Sequence, residues 1–273
     1  MTSLHQPAEG EPIDEAEALR RLADTTDPSG QYYAAWWLGK QRSTHPEAIV
    51  LLRAALRLRC ERQHGSGVDE NAVARNAIRA LGKLGSAAQG ALNDLVAIVD
   101  DPDYGLREAS ARALGELKAL EAVEPLLSRL RSGPETAGRL EPGLPQLAEP
   151  CEAMLEALGD IGCASTPVLS VLKLYVEHPW PVVSSAACRA LLQLTQDDRW
   201  GHRLLALLQH PQLQVRRAVL MDLGATGWQP AAGPIAATLA ENSLKLVALK
   251  GLVEASAPGS ADREMLDLMD SLL

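Results

Sequence analysis

Arginine, glutamate and aromatic residues recur in this chain at spacings that would gather them on one binding face. Six residues before a repeated leucine lie Tyr32, Arg75, Glu108, Glu152, Ser185 and Arg217. Two residues before it lie Trp36, Arg79, Arg112, Glu156, Arg189 and Met221. The series are four residues apart, so on helices they point the same way. Guanidinium groups there would grip anionic groups at two points, carboxylates would accept from donors, and Tyr32 and Trp36 would add rigid contact area. Four of the nine Tyr and Trp residues crowd into 32–37, with Tyr33 and Trp37 expected to turn into the core. Two readings stay open. One is a solvated face with pairs such as Glu108–Arg112, worth ~0.3 kcal/mol each. The other is a groove for a ligand or protein carrying both anionic groups and hydrogen-bond donors.

Helices have to position these side chains, and a recurring phrase supplies them. It is clearest at Arg107-Glu-Ala-Ser-Ala-Arg-Ala-Leu-Gly115, with close variants at Arg75–Gly82, Cys151–Gly159 and Arg216–Gly224. Looser variants are Tyr32–Gly39 and Ser184–Leu192. Alanines at helical spacing let a neighbouring helix approach closely. The terminal glycine is expected to take the left-handed conformation that stops the helix. Asp27-Pro28, Asp101-Pro102, His178-Pro179 and His210-Pro211 each precede such a helix, because proline ends one helix and presets the turn into the next. Arg107, Ser184 and Arg216 fall at one common offset from their prolines, so turn and phrase agree on register.

The Leu-Gly ends are roughly 33 residues apart in three intervals and roughly 43 in two, about the size of helical hairpins of the HEAT and armadillo kind. The expected fold is therefore all-α: a curved α-solenoid of about six HEAT-like hairpins, with residues 13–273 as a single domain after a flexible lead-in, 1–12. The longer intervals hold two inserted loops, about 59–71, polar with Gly65-Ser-Gly67, and 131–150, with four prolines and three glycines, both expected to be exposed. Met265–Leu273 is expected to cap the end. Second helices of HEAT hairpins line the concave side, which would gather the two series there.

Other chemistry is poorly supplied. His178, His202 and His210 read as turn and linker histidines without metal-ligand spacing. Cys60, Cys151, Cys163 and Cys188 are dispersed with no adjacent base and read as reduced thiols, and no phosphate-cradling glycine loop occurs. A net charge of -9 without a basic cluster argues against nucleic acid. The acidic start predicts no signal peptide, and no apolar run approaches the ~20 residues of a membrane span. The expectation is a cytoplasmic protein without a metal.

Several stretches resemble one family: Tyr32-Tyr-Ala-Ala-Trp-Trp-Leu-Gly-Lys40, Arg75–Gly85, Glu152–Gly159, Gln214–Gly224 and Thr238-Leu-Ala-Glu-Asn-Ser-Leu-Lys-Leu-Val-Ala-Leu-Lys-Gly251. The chain is similar, from about Ile13 to Glu254, to the E subunits of the E/F-type phycobilin lyases, most closely those for the phycocyanin α-subunit. The resemblance implies an enzyme subunit active with an F-type HEAT-repeat partner, attaching phycocyanobilin through a thioether to a cysteine of apo-phycocyanin α-subunit. The bilin is then substrate, and no cofactor is implied. Two propionates would meet Arg75, Arg79, Arg112 or Arg217. Glu108, Glu152 or Asp222 would pair with the pyrrole nitrogens, and Tyr32 and Trp36 would stack on a ring. Within the family the alternatives are a lyase-isomerase or a phycoerythrobilin lyase subunit. Outside it, the alternative is a non-catalytic HEAT scaffold that binds only protein.

Overall fold

The computed structural model describes residues 13–59, 69, 71–255 and 263–273. The expected lead-in 1–12 and most of the expected loop 59–71, Cys60 included, lie outside the described residues. Between Leu117 and Lys118 the chain divides into two compact units.

The first unit holds three helix pairs: α1 (Glu15–Ala23) with α2 (Pro28–Lys40), α3 (Pro46–Arg57) with α4 (Ala72–Lys83), and α5 (Leu92–Ile98) with α6 (Tyr104–Glu116). A 3-10 helix, Gly85–Ala91, leads into α5. Capping aspartates fix two starts: Asp27 accepts from the Gly30 amide at 3.0 Å and Asp103 from the Leu106 amide at 2.8 Å. The second helices α2, α4 and α6 pack side by side.

The second unit repeats this scheme: α7 (Val123–Leu130) with α8 (Cys151–Ile161), α9 (Thr166–Leu174) with α10 (Pro181–Thr195), α11 (Asp198–Leu207) with α12 (Leu213–Gly224), and α13 (Ala232–Ala237) with α14 (Asn242–Ala255). Here α8, α10, α12 and α14 pack in sequence, and α15 (Arg263–Asp270) rests on α13 and α14 as the expected end cap. The described residues thus form seven helix pairs where the Leu-Gly phrase marked six, because α14 carries it as Ala248-Leu-Lys-Gly251.

Two positions of the phrase set the helix spacing. Leu38, Leu81, Leu114, Leu158, Leu191 and Leu223 are each wholly buried, and each would cost about 2–5 kcal/mol to truncate to alanine. The glycine that follows does not stop its helix, contrary to expectation. Gly39, Gly82, Gly115, Gly159 and Gly224 are helical. Four of them let the next second helix come close. A Cβ on Gly39, Gly82 or Gly159 would stand 2.7, 2.9 or 2.8 Å from the Cα of Ala80, Ala113 or Ala190, and one on Gly224 would stand 2.8 Å from the Ala248 carbonyl. The left-handed stop lies three residues further on, at Arg42, Gly85, Lys118, Gly162 and Gly227. In α10, where Leu192 replaces the glycine, the stop is Gln196.

A third position closes the turns. The fourth residue of five second helices reaches back to a carbonyl at the end of the preceding helix or in the turn. Gln31 donates to Leu22 O, Arg107 to Asp101 O and Pro102 O, Ser184 to Val176 O, Arg216 to His210 O and Pro211 O, and Lys245 to Ala236 O. Leu22 and Ala236 lie in the last turn of their helices, where carbonyls lack a partner within the helix.

The loop 131–150 is only partly exposed, contrary to expectation. Leu140 and Leu147 form an antiparallel bridge, and Ala137, Gly138, Leu147 and Pro150 are buried. His178 ties it down: Nδ1 accepts from the Trp180 amide at 3.0 Å, which leaves Nε2 to donate to Gly138 O at 3.1 Å. Arg129 holds the far end through Glu149 at 2.6 Å.

Candidate functional site

In the first unit, the face of α2, α4 and α6 carries the aromatic and most of the basic candidates. Their shared register follows from the Gly39–Ala80 and Gly82–Ala113 contacts beneath them. Tyr32 and Trp36 are 44% and 39% exposed. Tyr33, expected in the core, is 45% exposed and lies with its ring 5.3 Å from that of Trp36, while Trp37 is half-buried. The correction has a simple cause: the small residues Ala34, Ala35 and Gly39, with Leu38, already fill the buried side of α2. Lys40 Nζ sits 4.8 Å from the Trp36 ring centre, a cation–π contact.

The arginines of this face differ in what holds them. Arg75 is ion-paired to Asp69, with Asp103 4.0 Å away and Gly105 beneath its aliphatic stem. Arg112 pairs with Glu108 at 3.4 Å, and both stay partly exposed. Arg79, between them in register, is exposed and makes no side-chain hydrogen bond or ion pair among the described residues. An exposed, uncommitted guanidinium flanked by aromatic rings and a Glu–Arg pair is suited to a planar ligand with carboxylates.

In the second unit the same two series are less open. Arg217 is partly exposed and paired with Glu241, whose carboxyl its hydrogen bond pulls down to about 2. Ser185 and Glu156 are buried, so the solvated ribbon expected along the series does not extend across α8 and α10. Asp222 is the clearest correction. It is 3% exposed because it occupies the slot that Ala80, Ala113 and Ala190 fill in other second helices. It cannot touch a surface ligand in this structure.

Asp222 instead belongs to a charged cluster with Ser185, Glu156 and Arg189, which the sequence had placed on the binding face. Ser185 Oγ donates a hydrogen bond to Asp222. Arg189 Nη2 reaches both Asp160 oxygens at 2.7 and 2.8 Å, while Nη1 stands 3.6 Å from Glu156 and 3.5 Å from Asp222. Gln193 Nε2 donates to Asp160 at 3.1 Å and to Ala225 O at 2.9 Å, joining α8 and α10 to the end of α12. Burial, then the Glu156 charge, pushes the Asp222 carboxyl up to about 7, with Arg189 and Ser185 pulling the other way. Burial opposes the charge on Arg189, but Asp160, Glu156 and Asp222 outweigh it and raise its pKa. The sequence did hold a signal: Glu152, Glu156 and Asp160 repeat every four residues along α8, which places the three acids along one face of the helix.

Among the described residues no side chain supplies an evident nucleophile. Burial pushes the Cys151 and Cys188 thiols up to about 12 and about 11, which keeps both protonated and inert. Among the described residues no group of three or more His, Cys, Asp and Glu side chains could hold a metal ion. His178 and His210 accept from the Trp180 and Gln212 amides in their turns, whereas His202, expected in a linker, lies within α11. No described helix is long and apolar enough to cross a membrane.

Similarity to known proteins bears on what this arrangement serves. HEAT repeats match residues 68–141, and the PBS lyase HEAT-like repeat matches 31–57. The chain is 46% identical to the bilin biosynthesis protein RpcE of Synechococcus sp. strain WH8020 over 264 residues, 96% of each chain. It is 44% identical to the phycocyanobilin lyase subunit alpha of Synechococcus elongatus strain PCC 7942 over 284 aligned positions, covering both chains completely. The chain belongs to the HEAT-repeat bilin lyase family. The solved complex of CpcE and CpcF of phycocyanin lyase from Nostoc sp. PCC7120 contains a chain that superposes on it with a TM-score of 0.84, at 39% identity and full coverage of both.

Proposed function

We propose that this chain is the E-type subunit of a heterodimeric bilin lyase. With an F-type HEAT-repeat partner it holds phycocyanobilin and presents it to a cysteine of the apo-phycocyanin α-subunit. The observation that carries the reading is full-length similarity to a phycocyanobilin lyase subunit alpha, and the face of α2, α4 and α6 supports it. The acceptor thiol adds across the ring-A ethylidene double bond: sulfur bonds to the exocyclic carbon, the thiol proton ends on the ring carbon, and nothing leaves. Such an addition needs one bilin conformer held against one thiol, so catalysis is positioning. Arg79 takes a propionate, with Arg75 and Arg112 beside it. Tyr32 and Trp36 stack on a pyrrole ring, and Glu108 accepts from pyrrole N–H groups. In the second unit Glu152 and Arg217 play the corresponding surface roles, and Asp222 acts only from the interior. The bilin is substrate rather than resident cofactor, and the reaction is placed in the cytoplasm.

Co-expression with an F-type partner, apo-phycocyanin α-subunit and a phycocyanobilin source should give covalent colour on the α-subunit in a denaturing gel. Arg79→Ala should cut transfer by about tenfold or more, from the loss of one charge-assisted contact, without disturbing the heterodimer. A formed heterodimer that transfers neither phycocyanobilin nor phycoerythrobilin would return the chain to the scaffold reading. Colour only with phycoerythrobilin would reassign the bilin.

A further inference from the structure

The second helices carry a third rung beyond the two series that form the binding face. Two residues after each repeated leucine lie Lys40, Lys83, Glu116, Asp160, Gln193 and Ala225. They stand four residues on from Trp36, Arg79 and their counterparts, so they continue the same face. The rung is basic only on α2 and α4. Asp160 is taken up by Arg189 and Gln193. Glu116 folds back over α4, with a carboxyl oxygen 2.9 Å from where a Gly82 Cβ would stand.

The helix dipole favours a cation in the last turn of any helix. Yet α6, α8, α10, α12 and α14 have no basic residue in their last turn. Among the second helices the device is confined to α2, which carries the exposed aromatic rings, and α4, which carries Arg79.

Neither lysine is engaged within the protein. Lys40 and Lys83 are exposed, and neither side chain makes a hydrogen bond or ion pair among the described residues. Lys40 lies instead against the Trp36 ring, with Nζ 4.8 Å from its centre. The Gly39–Ala80 crossing joins the two helices at this level. Lys40 follows Gly39 and Arg79 precedes Ala80, so an ammonium and a guanidinium flank the crossing, with Trp36 one turn before Lys40.

The ligand chemistry calls for two cations here. A bilin carries two propionates on neighbouring rings, and a guanidinium grips one carboxylate at two points. Arg75 and Arg112 already have acidic partners. With Arg79 alone, the second propionate would lie unneutralised against a chain whose net charge is -9.

We propose that Lys40 is a further bilin-binding residue: it takes the second propionate while Arg79 takes the first, so the central rings of the chromophore lie across the α2–α4 crossing beside Trp36. This rests on the reading that the bilin occupies this face. Lys83, bordered by Glu116, contributes less. Lys40 thereby sets a specificity: the face prefers a linear tetrapyrrole with both carboxylates free over one in which they are esterified.

The test uses the heterodimer with the F-type partner and reads binding of phycocyanobilin, and of its dimethyl ester, from the change in bilin absorbance. Lys40→Met keeps a stem against Trp36 and removes the charge. It should weaken binding of the free acid about three- to tenfold and leave the ester unchanged. Added salt should weaken the free acid less in this variant than in wild type. In transfer to the apo-phycocyanin α-subunit the loss should fall on KM rather than kcat. Lys40→Arg should bind the free acid as wild type does. Lys173→Met removes a last-turn cation from α9 and should change neither ligand. Equal losses for acid and ester, a loss confined to kcat, or an undiminished affinity for the acid would each overturn the assignment of Lys40 while leaving the lyase reading in place. A wild-type heterodimer that binds neither ligand would overturn both.

Discussion

Replacing Gly39 by alanine tests the packing on which both units rest. The new Cβ would lie 2.7 Å from Ala80 Cα and 2.9 Å from Ala80 Cβ, against the ~3.5–4 Å of ordinary carbon contact. Neither atom can swing aside, so α2 and α4 must separate locally by roughly 1 Å. Overpacking of this kind costs about 1–3 kcal/mol, and the better helix propensity of alanine returns up to ~1 kcal/mol. The net expectation is a loss of about 0.5–2 kcal/mol, or several degrees in melting temperature. Gly90→Ala is the control: no atom lies within 4 Å of its Cβ, so it should be neutral or stabilise by up to ~1 kcal/mol. Urea unfolding of the full chain, followed by circular dichroism and by the fluorescence of Trp36 and Trp37, compares the two. If Gly39→Ala unfolds at the same denaturant concentration as Gly90→Ala, close approach is not why glycine stands there.

Other expectations follow from separate contacts. Alkylation at pH 8 should label Cys163 well before Cys151 and Cys188, whose raised values leave almost no thiolate at that pH; equal rates, read by peptide mass spectrometry, would contradict their burial. His178→Ala should free the loop 131–150, losing about 1–3 kcal/mol of local stability and speeding proteolytic cleavage near Gly143 while the helices stay protected. Arg107→Ala removes two bonds to turn carbonyls and should lower stability by about 1–3 kcal/mol, with Arg107→Lys recovering part of it; equal melting temperatures for all three proteins would count against the turn-closing role.

The repeat was legible because its physical demands fall on few residue types. A buried leucine, small neighbours and a proline turn recur whatever lies between them, and they place the second helices, most of which start three or four residues before the phrase. What the glycine does was not legible. The same residue serves as a left-handed stop or as a place for two backbones to approach, and one sequence cannot separate these. The structure assigns approach to Gly39 and Gly82 and lets Arg42 and Lys118 adopt the left-handed angle unaided. Asp222 misled for a related reason. Its charge implied a surface position, although its place directly before Leu223 matches that of Ala80, Ala113 and Ala190. Tyr33 misled in the opposite sense, since periodicity marks a face as apolar without saying whether another helix covers it. Arg79, Glu108 and Arg112 were readable as a face because nothing in the packing constrains them.

The turn-closing position has a consequence for how such chains diverge. Glutamine, arginine, serine and lysine all perform the same task there, at Gln31, Arg107, Ser184, Arg216 and Lys245. Any side chain that carries a donor far enough will serve, so drift among these types is silent to the fold. The Gly–Ala contacts allow no such exchange, since one carbon atom is already too much. Lineages of this architecture should therefore lose recognisable letters fastest at the turns and slowest at the helix crossings, and two members can be nearly superposable while sharing few residues in the segments that join their helices.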